Sequence, residues 1–233
     1  MEFSLYDVSH GSCGLLKSPT GKYQVIDCGS STNYSPLNQI YNKELKVDEK
    51  LHSIIVTHHH GDHINDIFNI GQPIPGIIVR RPLEGAYAKA VQESNSKEGN
   101  QAVDELNKVF SNHTSTVSKD VWGIEQWGIE IQWFQLSTDE AQTISSAQNS
   151  LVNNCSIVTI YTYGNFKLMV PGDIEAEGMK KLLARPDFLK SVEGVKVLVA
   201  PHHGHKSGFS SELMNAIGKP TVVFASVVSK DEN

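Results

Sequence analysis

The run Thr57-His58-His59-His60-Gly61-Asp62-His63, placed directly after the apolar stretch Ile54-Ile55-Val56, constrains this chain more than any other feature. Imidazole and carboxylate bind borderline divalent ions at neutral pH, and a strand end is a rigid place from which to hold them. In an extended segment side chains alternate faces, so His58 and His60 can share one ion while His59 points the other way. Gly61 permits a turn that swings Asp62 and His63 towards a second, neighbouring ion. An affinity tag is a poor account of these histidines, because tags lie at termini and this run follows a strand of buried character.

Two further segments repeat the design. Phe166-Lys167-Leu168-Met169-Val170 runs into Pro171-Gly172-Asp173, and Val195-Lys196-Val197-Leu198-Val199-Ala200 runs into Pro201-His202-His203-Gly204-His205. Three strands that each deliver ligand-type residues at one end are what a metal site at the edge of a layered αβ fold requires. Asp173 by itself reads equally well as a helix N-cap, and the metal reading gains weight from His202.

In this order, His58-x-His60-x-Asp62-His63, Asp27-Cys28-Gly29 upstream, and Gly172-Asp173 and His202 downstream resemble the metallo-β-lactamase superfamily of binuclear metallohydrolases, from Tyr6 to about Val228. Asn153-Asn154-Cys155-Ser156-Ile157-Val158 and Pro201-His202-His203-Gly204 resemble the hydrolase domain of the ComEC competence protein and its soluble relatives. Tyr6-Asp7-Val8-Ser9-His10-Gly11-Ser12-Cys13 resembles the opening of that subgroup, with His10 a departure from it.

The resemblance implies an α/β (α+β) fold, the four-layer αββα sandwich, and two divalent ions, zinc foremost with manganese as the alternative. It implies that His58 and His60 hold the first ion, that Asp62 and His63 hold the second, and that Asp173 bridges both. His202 would complete the second site, with His203 its competitor. Asp62 and Asp173 are then the catalytic carboxylates, and Asp27 supports the metal-binding loop through hydrogen bonds. Where the superfamily commonly has another histidine, this chain has Asn153 or Asn154. For Asn154 a ligand role and a turn role both stay open. An amide oxygen is a harder, weaker donor than imidazole, so it would loosen the first site and favour harder ions such as manganese.

Two cations sharing a water lower its pKa to roughly 7 in zinc enzymes, supplying a bridging hydroxide, and they neutralise charge on a carbonyl or phosphoryl oxygen. Hydrolysis is the reaction this implies. His205, Lys206 and Ser207 form a donor-rich loop suited to a phosphate. The expected function is therefore a phosphodiesterase or nuclease acting on a nucleic acid or nucleotide. Hydrolysis of a carbonyl ester, lactone, thioester or lactam is the first alternative, and a non-catalytic metal-binding scaffold or sensor subunit the second.

With 20 Lys plus Arg against 26 Asp plus Glu, the net charge of −6 requires any nucleic-acid binding to be local. Arg80, Arg81, Lys89, Lys97 and Lys108 fall in one stretch that could flank a cleft, but such residues read more readily as a solvated helix face.

The 233 residues contain no linker or repeat, so one domain over 1–233 is expected, with a helical insertion at 82–120 near the cleft. Strands are predicted over 51–57, 77–80, 129–136, 156–163, 166–170, 195–200 and 221–228, and helices over 84–93, 100–111 and around Ala176 to Leu183. Trp122, Trp127 and Trp133 are expected in the core, with base stacking as the alternative. Three cysteines without metal-binding spacing, and no apolar run of membrane-spanning length, point to no membrane association and a reduced, cytoplasmic setting. The residues after Val228 are few, which leads to the expectation that the chain is truncated, or that a protein partner or a further C-terminal segment completes the site.

Overall fold

The central strands of this protein, such as Tyr23–Ile26 and Leu51–Ile55, are largely apolar because they are covered on both faces. The computed structural model describes residues 1–113 and 119–226. Its strands are β1 (Glu2–Leu5), β2 (Gly14–Lys17), β3 (Tyr23–Ile26), β4 (Leu51–Ile55), β5 (Ile77–Val79), β6 (Glu130–Phe134), β7 (Val158–Tyr163), β8 (Phe166–Val170), β9 (Val197–Val199) and β10 (Val222–Phe224). Its α-helices are α1 (Pro36–Gln39), α2 (Gly85–Ser94), α3 (Lys97–Val109), α4 (Ile124–Trp127), α5 (Thr138–Gln142), α6 (Gln148–Asn154), α7 (Ala176–Leu183), α8 (Pro186–Val192) and α9 (Ser211–Ile217).

One sheet has the order β1-β2-β3-β4-β5 and the other β10-β9-β8-β7-β6. Leu16 and Ile26 from the first sheet meet Ile131, Tyr161, Leu168, Val170 and Val199 from the second, with Trp122 and Trp127, in a core between the sheets. Their strand neighbours Val25, Ile160, Met169 and Leu198 turn the other way, into a core shared with helix residues such as Leu106, Met179, Leu182 and Leu213. This period-2 division makes the four-layer αββα sandwich. A polar bridge links the sheets: the Tyr161 hydroxyl donates to Gln24 Oε1 (2.6 Å), and Gln24 Nε2 donates to Ser53 Oγ (2.9 Å). A buried amide left unpaired there would cost about 1–3 kcal/mol.

Strand direction positions the site. β3 and β4 are parallel neighbours in one sheet, and β8 and β9 in the other. Parallel strands bring their carboxyl ends to the same edge, where ligands bind in open α/β sheets. Asp27 follows β3, the histidine run follows β4, Asp173 follows β8, and His202-His203 follow β9. The edges are tied together by Ile157 N–H donating to Thr57 O (2.9 Å) and His202 N–H donating to Gly172 O (3.1 Å).

Several expectations change in detail. The last strand is shorter than 221–228, and Val227, Val228 and the terminal Ser229–Asn233 lie outside the described residues, as do 114–118 of the expected insertion. The expectation of a completing C-terminal segment therefore falls outside them too. Helices α2 and α3 occupy the stretch where two helices were expected. Helices α5 and α6 were not foreseen, because α5 is a capped five-residue turn too short to show a helical period, and α6, rich in Asn and Ser, is held by burial of Leu151, Val152, Asn153 and Asn154.

Trp122 and Trp127 stack in the core (5.5 Å between centroids), which removes them from base stacking. Arg81 is buried, and its guanidinium donates to the carbonyls of Cys155 and Leu136 and to Thr138 Oγ1. Lys89 and Lys108 pair with Glu93 and Glu105 on their own helices. No helix among the described residues is long and apolar enough to cross a membrane.

Candidate metal centre

Asp27, fully buried and in the left-handed region (φ 58°), organises the histidine run. Its Oδ1 accepts from Thr57 N–H (2.7 Å), and its Oδ2 accepts from the Thr57 hydroxyl and from His63 Nδ1 (2.8 Å each). Having donated its proton to Asp27, the Thr57 hydroxyl accepts from His58 Nδ1 (3.1 Å). These partners fix the ring orientations, leaving Nε2 of His58 and of His63 facing the cleft. His60 donates Nε2–H to Ser94 Oγ (3.2 Å) and turns Nδ1 towards His58 Nε2 (3.1 Å). His59 faces away, with Nδ1 3.0 Å from the Tyr87 hydroxyl.

A second group of donors lies beside the first. Asp62, His63, Asp173 and His203 bring one ligand atom each to within 4.8 Å of one another. His203 Nε2 lies 3.2 Å from His63 Nε2, 3.3 Å from Asp62 Oδ2 and 3.2 Å from Asp173 Oδ2. The Asp173 carboxylate stands between the groups: Oδ1 is 3.2 Å from His63 Nε2, and Oδ2 is 3.9 Å from His58 Nε2. Gly172 (φ 61°) makes the turn that delivers Asp173. Gly29 packs directly on the Asp62 carbonyl, where any Cβ would collide.

His203, rather than the expected His202, joins this group. The two residues do not continue a strand: both are left-handed (φ 50° and 56°), so face alternation does not govern their rings. His202 Nε2 is 3.9 Å from Asp173 Oδ2 at the cleft rim, and its Nδ1 lies 2.7 Å from Ser207 Oγ. Of the two roles left open for Asn154, the structural one matches its contacts. The residue ends α6 with its Oδ1 accepting from Glu175 N–H (3.1 Å) and its Nδ2 donating to Ser145 and Ser150, so its polar atoms are used structurally. Asn153 is the one that lines the cleft.

The charge pattern suits ligation. Burial keeps His58 neutral well below the ordinary imidazole range and pulls His60 down to about 4. Burial also opposes charge on His63 and His203, but Asp173, Asp27 and Asp62 overcome it for His63, and Asp173 and Asp62 push His203 up to about 9. Asp62 and Asp173 are held ionised, their burial outweighed by the surrounding histidines. A metal must displace the protons of His63 and His203, so uptake at pH 7 should release protons, and the release should shrink as pH rises through about 9. Calorimetry in buffers of different ionisation enthalpy measures this; uptake independent of buffer at pH 7 would contradict the charge assignment.

Donor chemistry and spacing both fit divalent ions. A tetrahedron with metal–nitrogen bonds of about 2.1 Å has edges of about 3.4 Å. The facing lone-pair nitrogens of His58 and His60, and the nearest atoms around His203, sit at 3.1–3.3 Å. The cleft above them, of about 290 Å³, is walled by Ser94, Asn95 and Ser96 at the α2–α3 junction, by Asn149 and Asn153 of α6, and by His10 and His202. Asn95 locks that junction to the histidine run, accepting from Gly61 N–H (2.8 Å) and donating to His59 O (2.7 Å). His10 Nε2 lies 3.5 Å from Asp62 Oδ2. His205, Lys206 and Ser207 are not among the lining residues; His205 borders an adjoining apolar groove with Phe209 and Leu213. Ser94, Asn95 and Asn149 were not anticipated, since nothing local marks a serine or asparagine as a cleft wall.

An αββα sandwich carrying imidazole and carboxylate donors at its strand ends defines a metal-binding hydrolase scaffold. The model of the metallo-beta-lactamase superfamily matches residues 6–212, and the chain belongs to that superfamily. A sequence search of curated proteins finds no match.

Among solved structures, human tRNase Z, short form, is similar at 11% identity and a TM-score of 0.50, over 99% of this chain and 94% of that one. A possible metal-dependent hydrolase from Veillonella parvula gives 14% and 0.49, over 97% and 86%. Zn(2+)-bound PqqB from Methylobacterium extorquens gives 10% and 0.45 over 82% of this chain, which spans 59% of PqqB. At these identities the likeness to human tRNase Z concerns the fold.

Proposed function

We propose that this protein is a binuclear metal-dependent phosphodiesterase or nuclease of the ComEC-like kind, acting in the cytoplasm on a nucleic acid or nucleotide. The observation that carries the reading is the Asp173 carboxylate standing between two donor groups. His58 and His60 would hold the first ion, Asp62, His63 and His203 the second, and Asp173 both. Zinc suits the imidazole-rich set, with manganese as the alternative. When bound, such ions acidify water and polarise a phosphoryl or carbonyl oxygen.

The chain's own residues supply orientation and recognition. Asp27 holds His63 directly and His58 through Thr57, so both keep the ligating tautomer. His202 and His10 stand at the rim, where an imidazole N–H can donate to a substrate oxygen. The walls offer hydroxyl and amide groups rather than an apolar surface, which supports a phosphate- and sugar-bearing substrate over an acyl chain. Cys13, Cys28 and Cys155 are buried free thiols, which supports a reducing compartment.

The test is cleavage of bis(p-nitrophenyl) phosphate and single-stranded DNA, with zinc or manganese, beside p-nitrophenyl acetate and a chromogenic β-lactam. Chelator-sensitive cleavage of the phosphodiesters is expected. Turnover of the carbonyl substrates alone would overturn the phosphodiester reading.

The two neighbouring histidines also separate by substitution. His203→Ala should lose bound metal, whereas His202→Ala should keep it and lower kcat/KM by about 10²-fold. Metal loss in His202→Ala instead would reverse their roles.

A further inference from the structure

The second donor group has four protein ligand atoms, but the first has only His58 Nε2, His60 Nδ1 and the more distant Asp173 Oδ2. A residue lining the same cleft carries an acceptor without a partner among the described residues. Asn153 is 2% exposed, and its Oδ1 is buried with no hydrogen bond among the described residues. Its residue lines the cleft together with His60, Asp62, Asp173 and His202. An orphaned buried carbonyl oxygen is unfavourable and signals an absent partner.

The orientation of this amide follows from its neighbours. Asn153 Nδ2 donates to Glu175 Oε1 (3.3 Å), and Glu175 Oε2 is engaged by Ser150 Oγ (2.5 Å). A carboxylate accepts only, so the amide nitrogen belongs on the Glu175 side and the oxygen on the other. Flipping the amide would set oxygen against carboxylate.

We infer that Asn153 Oδ1 is the third protein ligand of the first ion, held in that orientation by Glu175 as a positioning residue, and that the two ions are therefore bound unequally. This rests on the binuclear reading above. A neutral amide oxygen is a weaker and harder donor than imidazole or carboxylate. The ion at Asp62, His63 and His203 binds first and prefers zinc; the ion at His58, His60 and Asn153 is the exchangeable one and accepts manganese.

The experiment is metal binding followed without turnover. The metal-free full chain is titrated with zinc by calorimetry, and separately loaded with one equivalent of zinc and then manganese, read by electron paramagnetic resonance. The unmodified chain should show a tight and a weak step, with manganese entering the weak one. Asn153→Ala should lose the weak step and keep the tight one, with an unchanged circular dichroism spectrum. Asn153→His and Asn153→Asp should strengthen the weak step for zinc by about tenfold or more, and Glu175→Gln should weaken it by about tenfold.

Two steps of unchanged affinity in Asn153→Ala would overturn the assignment while leaving two ions in place. Should that variant fail to fold, unchanged weak-step affinity in both Asn153→His and Asn153→Asp would overturn it equally. A single step in the unmodified chain would instead overturn the binuclear reading and this inference with it.

Discussion

Asp173→Ala should abolish hydrolysis, by about four orders of magnitude or more, while the fold persists. The Asp173 carboxylate lies within 4 Å of ligand atoms from both donor groups, so its removal takes away a donor shared between them. The fold should survive because the backbone contribution of residue 173, its N–H donated to Ser156 Oγ (3.0 Å), does not depend on the side chain. The loss also removes the negative charge that keeps His203 protonated up to about 9, so imidazole NMR titration should report a lower value for that ring. Circular dichroism and activity together decide the matter. Full activity in Asp173→Ala would sink the shared-carboxylate arrangement.

The second large effect is on stability and metal retention together. Asp27→Ala removes a fully buried carboxylate that accepts three hydrogen bonds, leaving Thr57 N–H and a charged His63 without their partner. Breaking a buried pair from one side costs about 3–5 kcal/mol. Metal affinity should fall about 10–100-fold as His58 and His63 lose their fixed tautomers. Asp27→Asn should be milder in stability, because asparagine tolerates the left-handed backbone and keeps one acceptor oxygen. Thermal denaturation and equilibrium dialysis measure the two effects. An Asp27→Ala chain that melts and binds zinc like the parent would refute the role given to this carboxylate.

The sandwich was legible because burial on both faces writes itself into sequence as unbroken apolar runs, such as 54–56 and 168–170, and because ligand-type residues stand at the ends of three such strands. The convergence of His58, His60, Asp62, His63 and Asp173 follows from strand direction once those runs are placed.

What escaped the sequence was conformation without a local signal. Nothing in Pro201-His202-His203-Gly204 announces two non-glycine residues with positive φ, so the sequence could not show that the His203 ring lies nearer the other donors than the His202 ring implied by the resemblance. Asn153 and Asn154 could not be separated because helix α6 is made of weak helix formers stabilised by tertiary burial. The partners that decide their roles, Glu175 and Ser145, lie 22 and 9 positions away. Ser94 and Asn95 reach the cleft only through packing of α2 and α3 against the histidine run.

The imidazole and carboxylate donors follow strand ends, whereas much of the cleft wall comes from α6 and the α2–α3 junction. Reactivity and selectivity are thus carried by separable parts of the chain. Exchanging Ser96 and Asn149, while sparing the anchor at Asn95 and the Ser94 hydroxyl that holds His60, is therefore a route to altered substrate choice on an unaltered catalytic floor.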